Sequence, residues 1–290
     1  MSQAEALPVP GRRPQTAAGF LALFRNELHL TFRRMRTLVL LGILALLPVL
    51  IGVIIKVNTD GPHGGDGGPS FIAQTTQNGL FLVFTSLAVA LPIFLPMTVG
   101  VVAGDSVAGE ASTGTLRYLL VAPAGRTRLL AAKFTAGLAF CLAATAAVAV
   151  TALATGAALF PLGDVTLLSG DTVGLADALP RALLVAAMVA LSLAGLVAIG
   201  LFISTLTGSG IAAMAATVVL VITVQILDGF PQLDAIRPFL FTHYWLSFAN
   251  LLREPMYWDD VLKNLGLQAA YVAVFGSAAW ARFASRDISA

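Results

Sequence analysis

Long runs without charged residues, separated by short polar stretches, dominate the chain. Residues 38–55 carry no charge, and an α-helix over them spans roughly 27 Å, close to the thickness of a bilayer core. The uncharged run 182–227 is too long for one span, and Thr207-Gly-Ser-Gly210 predicts a turn within it. We therefore predict an all-α polytopic membrane protein in which residues 38–290 form a six-span domain. The predicted transmembrane helices lie near 38–57, 80–104, 131–160, 182–206, 210–228 and 264–281.

A different pattern precedes the first span. Residues 1–15 are rich in proline and polar side chains, which predicts a disordered lead. Over 16–37, apolar and basic residues recur with helical spacing on opposite faces. The residues that define these faces are Phe20, Phe24 and Leu28 on the apolar side and Arg25, Arg33 and Arg36 on the basic side. This predicts an amphipathic helix lying in the headgroup layer. A solvated helix packed on a neighbouring domain is the alternative.

Polar connections join the predicted spans. Between the fifth and sixth spans, residues 228–263 mix aromatic and charged side chains, as is typical of the membrane interface. We predict two short helices half-sunk in the outer interface, with an exposed loop as the alternative. In the loop 58–70, His63 lies between two aspartates, but the surrounding glycines argue against a metal site.

Composition supports a membrane protein. The chain is 58% hydrophobic and 11% charged, whereas soluble domains carry about 25% charged residues. A soluble fold would therefore lack the polar side chains needed to cover its surface. The net charge of +2 is too small to indicate nucleic-acid binding. The single cysteine, Cys141, lies in an apolar run, which favours a packing role over a reactive thiol.

The distribution of basic residues predicts the orientation. Six spans place both termini and the 104–133 loop on one side, with twelve of the seventeen lysine and arginine residues. The positive-inside rule therefore predicts a multi-pass protein of the plasma (inner) membrane with both termini in the cytoplasm.

The sequence argues against several kinds of chemistry. No ionisable residue falls at the middle of a predicted span, which disfavours an ion-driven transporter and an intramembrane hydrolase. A P-loop requires a lysine directly after a glycine, and none of Lys56, Lys133 and Lys263 follows one. We therefore expect a non-enzymatic chain that binds no cofactor or metal, with any ATP hydrolysis in a separate polypeptide.

The cytoplasmic loop holds the most distinctive polar segment. Ser112 or Thr113 is suited to cap a short helix over 114–121, and Pro123-Ala-Gly125 ends it. Leu116 and Leu120 lie on one face of this helix, which suits it to contact a cytosolic partner. The alternative is an ordinary interfacial hairpin whose arginines only set the topology.

At these residues the chain resembles the ABC-2 type permeases, the membrane subunits of ATP-binding-cassette exporters. The motif is Glu110-x-x-x-Gly-Thr-Leu-Arg-x-Leu-Leu-x-x-Pro-x-x-Arg-x-x-Leu-x-x-Lys133, with weaker likeness at 238–244 and 282–288. The resemblance implies a dimer of permeases docked on two cytosolic ATPases, which bind the ATP and Mg²⁺. It also implies that 20–36 is a connecting helix and that the motif includes a coupling helix. The implied coupling residues are Glu110, Gly114, Thr115, Leu116, Arg117, Leu120, Pro123 and Arg126.

These observations predict an exporter permease that works by alternating access, driven by a partner ATPase. An uncharged substrate path suits an amphiphile such as a drug, a peptide antibiotic or a lipid. Two alternative functions are compatible with the sequence. One is a non-transporting ABC-linked scaffold or sensor, and the other is an ion-coupled secondary transporter.

Overall fold

The computed structural model describes residues 17–60, 70–112 and 125–285, nearly all of them helical. The predicted lead 1–15, His63 and most of the predicted coupling segment therefore lie outside the described residues. The described helices are α1 Ala17–Arg33, α2 Met35–Asp60, α3 Ser70–Gln77, α4 Phe81–Ala90, α5 Phe94–Ser112, α6 Arg126–Leu159, α7 Leu175–Ser192, α8 Ala194–Leu206, α9 Gly210–Asp228 and α10 Asp259–Ser285.

Among the described residues, four helices are long and apolar enough to cross a membrane. They are Met35–Thr59, Arg126–Leu159, Leu175–Leu206 and Gly210–Asp228. The pair α4 and α5 raises the number to five if it forms one span that is broken by its 55° bend. The all-α membrane architecture is thus confirmed. The sixth predicted span, in α10, stays a prediction because its polar Asn264 and Gln268 dilute its apolar character.

The outer surface of α2 explains why the fold belongs in lipid. Leu38, Ile43, Leu46 and Leu50 are each about half exposed and follow one side of the helix. A row of exposed aliphatic side chains of this length is unfavourable in water but matches the hydrocarbon of a bilayer.

Chain direction gives the bundle two ends. The α1 end contains the starts of α2, α6 and α9 and the ends of α5 and α8. The opposite end carries a small hairpin of β1 (Val165–Thr166) and β2 (Thr172–Val173), paired antiparallel with Val165 opposite Val173. We call it the β-hairpin end.

The predicted division of the long uncharged run is confirmed. Helix α8 ends at Leu206 and α9 begins at Gly210. Between them, the Ser209 side chain accepts a hydrogen bond from the Ala212 N–H at 3.3 Å and so caps α9. The predicted start at 182 is late, because the helix already begins at Leu175 and includes Pro180 in its second turn.

A half-buried side-chain amide stabilises the bend between α4 and α5. Pro96 lacks the N–H that would have bonded to the carbonyl of Pro92, four residues earlier. The side-chain amide of Gln225, from α9, donates to that carbonyl instead. The bend thus satisfies its backbone through a neighbouring helix, as the membrane interior requires.

Two glycines allow a very close helix crossing at the β-hairpin end. A Cβ added at Gly79 or at Gly156 would overlap the carbonyl oxygen of the other residue. The crossing is held by Asn78, whose side-chain amide donates to the Gly163 carbonyl at 2.7 Å. Only a residue without a side chain permits this approach between α6 and the segment before α4.

The segment between α9 and α10 differs from the prediction of two short helices. It forms three 3₁₀-helices, at Pro231–Leu233, Arg237–Phe239 and Trp245–Leu252. The first two contain prolines near their starts, which limits each to a single turn. Tyr271 of α10 fixes the second by donating its hydroxyl to the Phe239 carbonyl at 2.9 Å.

Candidate functional site: a buried charge network

At the α1 end, the ammonium group of Lys133 lies between two carboxylates. Its Nζ atom is 2.6 Å from Oε1 of Glu110 and 3.0 Å from Oε2 of Glu27. The three side chains are 1%, 7% and 6% exposed, so all three charges are removed from solvent. They come from α6, α5 and α1, which makes this ion triad a connection between three helices.

A second group of charges adjoins the triad. Asp105, in α5, forms salt bridges to Arg34 and Arg36, which stand on either side of the start of α2. Its carboxylate is tightly enclosed: a Cβ at Gly109 would lie 2.5 Å from Oδ1, and a Cβ at Gly210 would also collide with it. These two glycines therefore make room for the aspartate between α5 and α9.

The six residues balance in charge. We refer to them together as the buried charge network: Glu27, Arg34, Arg36, Asp105, Glu110 and Lys133. Three formal negative charges face three positive ones, and such pairing is what the buried carboxylates and Lys133 require. Arg34 and Arg36 reach the network from its edge, where each side chain is 36% exposed. A cavity of about 40 Å³ lies among them, large enough for about one water molecule.

Glu27 contributes a buried carboxyl group to the network. Burial raises the pKa of its carboxyl group, and the positive charge of Lys133 lowers the pKa in opposition. Its Oε1 atom is buried without a hydrogen-bond partner among the described residues. Glu27 is therefore suited to take up a proton.

Two of the predicted coupling residues lie within the described residues. Glu110 is in the last turn of α5, where it belongs to the network. Arg126 is the first residue of α6 and donates to the carbonyls of Phe283 and Ala284, at 3.5 and 2.5 Å. The remaining predicted coupling residues, which share the segment 113–124, lie outside the described residues: Gly114, Thr115, Leu116, Arg117, Leu120 and Pro123.

The predicted amphipathic helix is confirmed as a helix, but with a different end. Phe20 and Phe24 stack with their ring centroids 6.5 Å apart, and Phe32 of the same face packs on Phe140 of α6 at 6.2 Å. Leu28 is half-buried beside them, whereas Arg25 and Arg33 are exposed as predicted. Arg36 was predicted on the basic face of this helix and lies instead in α2, because the chain bends at Arg34.

Sequence reasoning missed most of the network, although one signal was available. At 100° per residue, Glu27 falls about 20° from Phe20, beside the apolar face of α1. A carboxylate there indicates a buried partner, since it cannot reach solvent past its neighbours. No comparable signal marks Asp105 or identifies Lys133 as the partner.

Other kinds of site find no support among the described residues. No group of three histidine, cysteine, aspartate or glutamate side chains in that part of the chain is placed to hold a metal ion. Cys141 is fully buried in α6, which matches the packing role predicted for it.

Comparison with known proteins assigns the family but no activity. Residues 28–289 match the model of a family described as a protein of unknown function, DUF2705. The match covers most of the chain, and the chain therefore belongs to this family. No curated protein matches it.

Proposed function

We propose that this member of the DUF2705 family is the membrane permease subunit of an ABC exporter, driven by a separate ATPase. The observation that carries the proposal is the buried charge network, because it joins the two helices that flank the segment 113–124. Glu110 precedes this segment in α5, and Lys133 follows it in α6. A partner that displaces the segment would thus move both helices together.

The contacts around the segment suit the transmission of force. Glu27 connects α1 to the same ion triad, and Arg126 connects the start of α6 to the end of α10. Trp280 adds a hydrogen bond from its indole N–H to the Thr127 hydroxyl at 3.0 Å. Buried ion pairs resist separation because each unpaired charge would be left in a low dielectric. The segment therefore has stiff supports on both sides.

The remaining features of the proposal rest on the charge distribution and on the resemblance to the ABC-2 type permeases. The α1 end faces the cytoplasm, the permease pairs with a second copy of itself, and ATP and Mg²⁺ bind only to the partner ATPase. The substrate is an amphiphile, such as a drug, a peptide antibiotic or a lipid, and it moves across the plasma membrane by alternating access.

The first test is co-isolation followed by a coupling assay. The permease is expected to purify with a soluble ATP-binding-cassette protein and to raise the ATPase rate of that protein in proteoliposomes. Arg117→Ala should abolish this stimulation, whereas Lys263→Ala, at the opposite end, should leave it unchanged. Thermal stability is measured alongside, and Lys263→Ala should lose only the small contribution of its exposed ion pair with Asp260. Equal stimulation by wild type and Arg117→Ala would remove the coupling assignment.

A second candidate function, an ion-coupled secondary transporter, is favoured by Glu27. A buried carboxyl with a raised pKa and an unpartnered oxygen is the kind of group that proton-coupled carriers use. Substrate movement by the purified chain alone, driven by a pH gradient without ATP, would select this function. Binding of the ATPase without any transport would instead indicate a scaffold.

A further inference from the structure

The outer face of α1 carries a row of basic side chains. Arg25, His29 and Arg33 are all exposed, and at 100° per residue they fall within an arc of about 80°. Steps of four residues separate them, about 6 Å each along the helix axis. We call these three residues the basic stripe. The next two arginines, Arg34 and Arg36, are not part of it because they already pair within the buried charge network.

No acidic side chain in the described part of the chain forms a salt bridge with the basic stripe. The acid of α1, Glu27, is buried and bonded to Lys133 inside the bundle. Within the stripe, Nη1 of Arg33 lies 3.4 Å from Nε2 of His29, a contact that supplies no negative charge. The outer face of α1 therefore presents the charges of two arginines without a counter-charge from the protein.

Exposed aliphatic side chains lie on both sides of the basic stripe. Leu21 and Leu30 are exposed, and at 100° per residue they fall about 40° and 60° beyond its two edges. The same surface continues past the end of α1, because Met35 at the start of α2 is 75% exposed and leads to Leu38 on the lipid-facing side of α2. The stripe thus stands where the hydrocarbon-facing surface of the bundle ends, which is the level of the lipid headgroups.

This arrangement determines the chemistry of the partner. Guanidinium groups donate paired hydrogen bonds to phosphate oxygens, and their aliphatic stems can cover apolar surface at the same time. A zwitterionic phospholipid also carries a phosphate, but its ammonium group cancels the charge, whereas an anionic phospholipid leaves a net attraction. An acidic protein would match the arginines but not the continuity with the lipid-facing side of α2. We propose that the basic stripe binds the phosphate groups of anionic phospholipids.

The bound lipid would contact α1 on the side away from the ion triad. At 100° per residue, Glu27 lies about 160° around the helix from His29. Helix α1 is therefore held by Lys133 on its inner side and by lipid phosphate on its outer side. The inference is independent of the transport proposal, because a scaffold or a secondary transporter with this fold would present the same face to the membrane.

The experiment compares two lipids at α1 itself. Ala22, which is exposed one turn before Arg25, is changed by Ala22→Cys and labelled with a neutral fluorophore, and the fully buried Cys141 does not compete for the label. The full chain is reconstituted in phosphatidylcholine vesicles. These vesicles contain an increasing fraction of phosphatidylglycerol or of phosphatidylcholine that carries a nitroxide on its acyl chain. The nitroxide quenches the fluorophore of any chain to which the lipid is bound.

Phosphatidylglycerol should quench at a lower fraction than phosphatidylcholine does. The expected difference at half-maximal quenching is about fivefold for each arginine that engages a phosphate. High salt should reduce this difference, since the charges are exposed to solvent. This comparison uses the chain with its basic stripe intact.

Variants locate the preference on the basic stripe. The double variant Arg25→Gln/Arg33→Gln should quench equally with both lipids, whereas Arg25→Lys/Arg33→Lys should keep most of the preference because it keeps the charge. Arg253→Gln/Lys263→Gln removes two exposed charges at the β-hairpin end and is the matched control, which should leave the preference unchanged. Equal circular dichroism shows that each variant remains folded.

Three results would overturn the inference. One is equal quenching by the two lipids when the stripe is intact, which requires no variant. Another is a preference that survives in Arg25→Gln/Arg33→Gln, or that the matched control reduces to the same extent, since either would place the effect elsewhere. The third is the absence of a lipid preference together with loss of the co-isolated ATP-binding-cassette protein in Arg25→Gln/Arg33→Gln. That result would make the stripe a contact surface for protein.

Discussion

The two ends of the bundle bury polar groups of different kinds. At the α1 end the buried groups are charged, and Lys133 is only 1% exposed in its pairs with Glu27 and Glu110. At the β-hairpin end the corresponding lysine, Lys263, is 58% exposed, and its partner Asp260 is 39% exposed. The interior there holds the amides of Asn264 and Gln268 instead, and the half-buried amide of Gln225 lies nearby.

This difference shows that polar groups buried inside a membrane protein can find their partners in two ways. An amide can bond to the backbone on both of its sides: Gln268 donates to the Phe241 carbonyl at 2.8 Å and accepts from the Gly195 N–H at 3.1 Å. Such a contact needs no counter-charge, and the neighbouring amides satisfy each other as well, since Gln268 also donates to the Asn264 side-chain carbonyl at 3.1 Å. A buried charge needs an opposite charge, so the α1 end depends on the presence of all its members. Substitutions at the α1 end should therefore change the free energy of unfolding more, and the effect of one substitution there should depend on the others.

The largest effect is expected from Lys133→Met. This change leaves two buried carboxylates without their ammonium group, which costs about 3–5 kcal/mol of unfolding free energy. The measurement is unfolding in mixed micelles, followed by circular dichroism. Adding Glu27→Gln and Glu110→Gln to Lys133→Met should recover most of the loss. A loss in the single variant that persists in the triple variant would show that packing, and not charge, explains the effect.

A smaller effect is expected from Gln225→Leu, at the other end. The half-buried Pro92 carbonyl then loses its donor, which costs about 1 kcal/mol, the low end of the range for unsatisfied buried groups. Pro96→Ala supplies a backbone N–H that can reach this carbonyl within the helix. The double variant should therefore be more stable than Gln225→Leu alone in the same unfolding assay. Equal stability of the two would contradict the role assigned to Gln225.

The raised pKa of Glu27 should be visible in how the free energy of unfolding depends on pH. Because burial raises its pKa above 4.5, the folded chain retains a proton that the unfolded chain has lost, in the pH range between 4.5 and the raised pKa. The free energy of unfolding should fall as the pH rises through this range, by at most about 1.4 kcal/mol per unit. Glu27→Gln should flatten this part of the profile. If the stability profiles of the wild type and Glu27→Gln run parallel over this pH range, the raised pKa does not belong to Glu27.

The smallest effect is expected at Asp260, and it has the opposite sign. Hydrogen bonding from Lys263 lowers the pKa of Asp260 below its ordinary 3.8. Its contribution to stability is present above that pH and is lost as the pH falls through the lowered pKa. Asp260→Asn should abolish this acid-side loss, and salt should weaken it in the wild type because the pair is exposed. An effect that is unchanged in high salt would contradict the exposed character of this end.

Much of the fold could be predicted from the sequence because helices in a membrane must be apolar and long. The uncharged runs located α2, α6 and α9, and the sequence Thr207–Gly210 located a turn. The 3₁₀-helices between α9 and α10 were not predictable, since single turns leave no periodic pattern.

The candidate site was less predictable, for a different physical reason. Glu27 and Lys133 are 106 residues apart in the chain, so their pairing depends on how three helices pack. The motif that resembles the ABC-2 permeases singled out Glu110 in the sequence. The role that it implied for Glu110 was contact with a cytosolic partner. The structure places its carboxylate inside the protein, where it holds α5 to α6.

The order in which the ion triad is synthesised has a consequence for membrane insertion. Glu27 and Glu110 leave the ribosome before Lys133, and 23 residues separate the last two. At a synthesis rate of about 5–20 residues per second, the acidic end of α5 waits about one to five seconds for its counter-ion. The Glu110 carboxylate of α5 gains its positive partner only when Lys133 of α6 arrives, so we expect the translocon to release the two helices into the lipid as a pair.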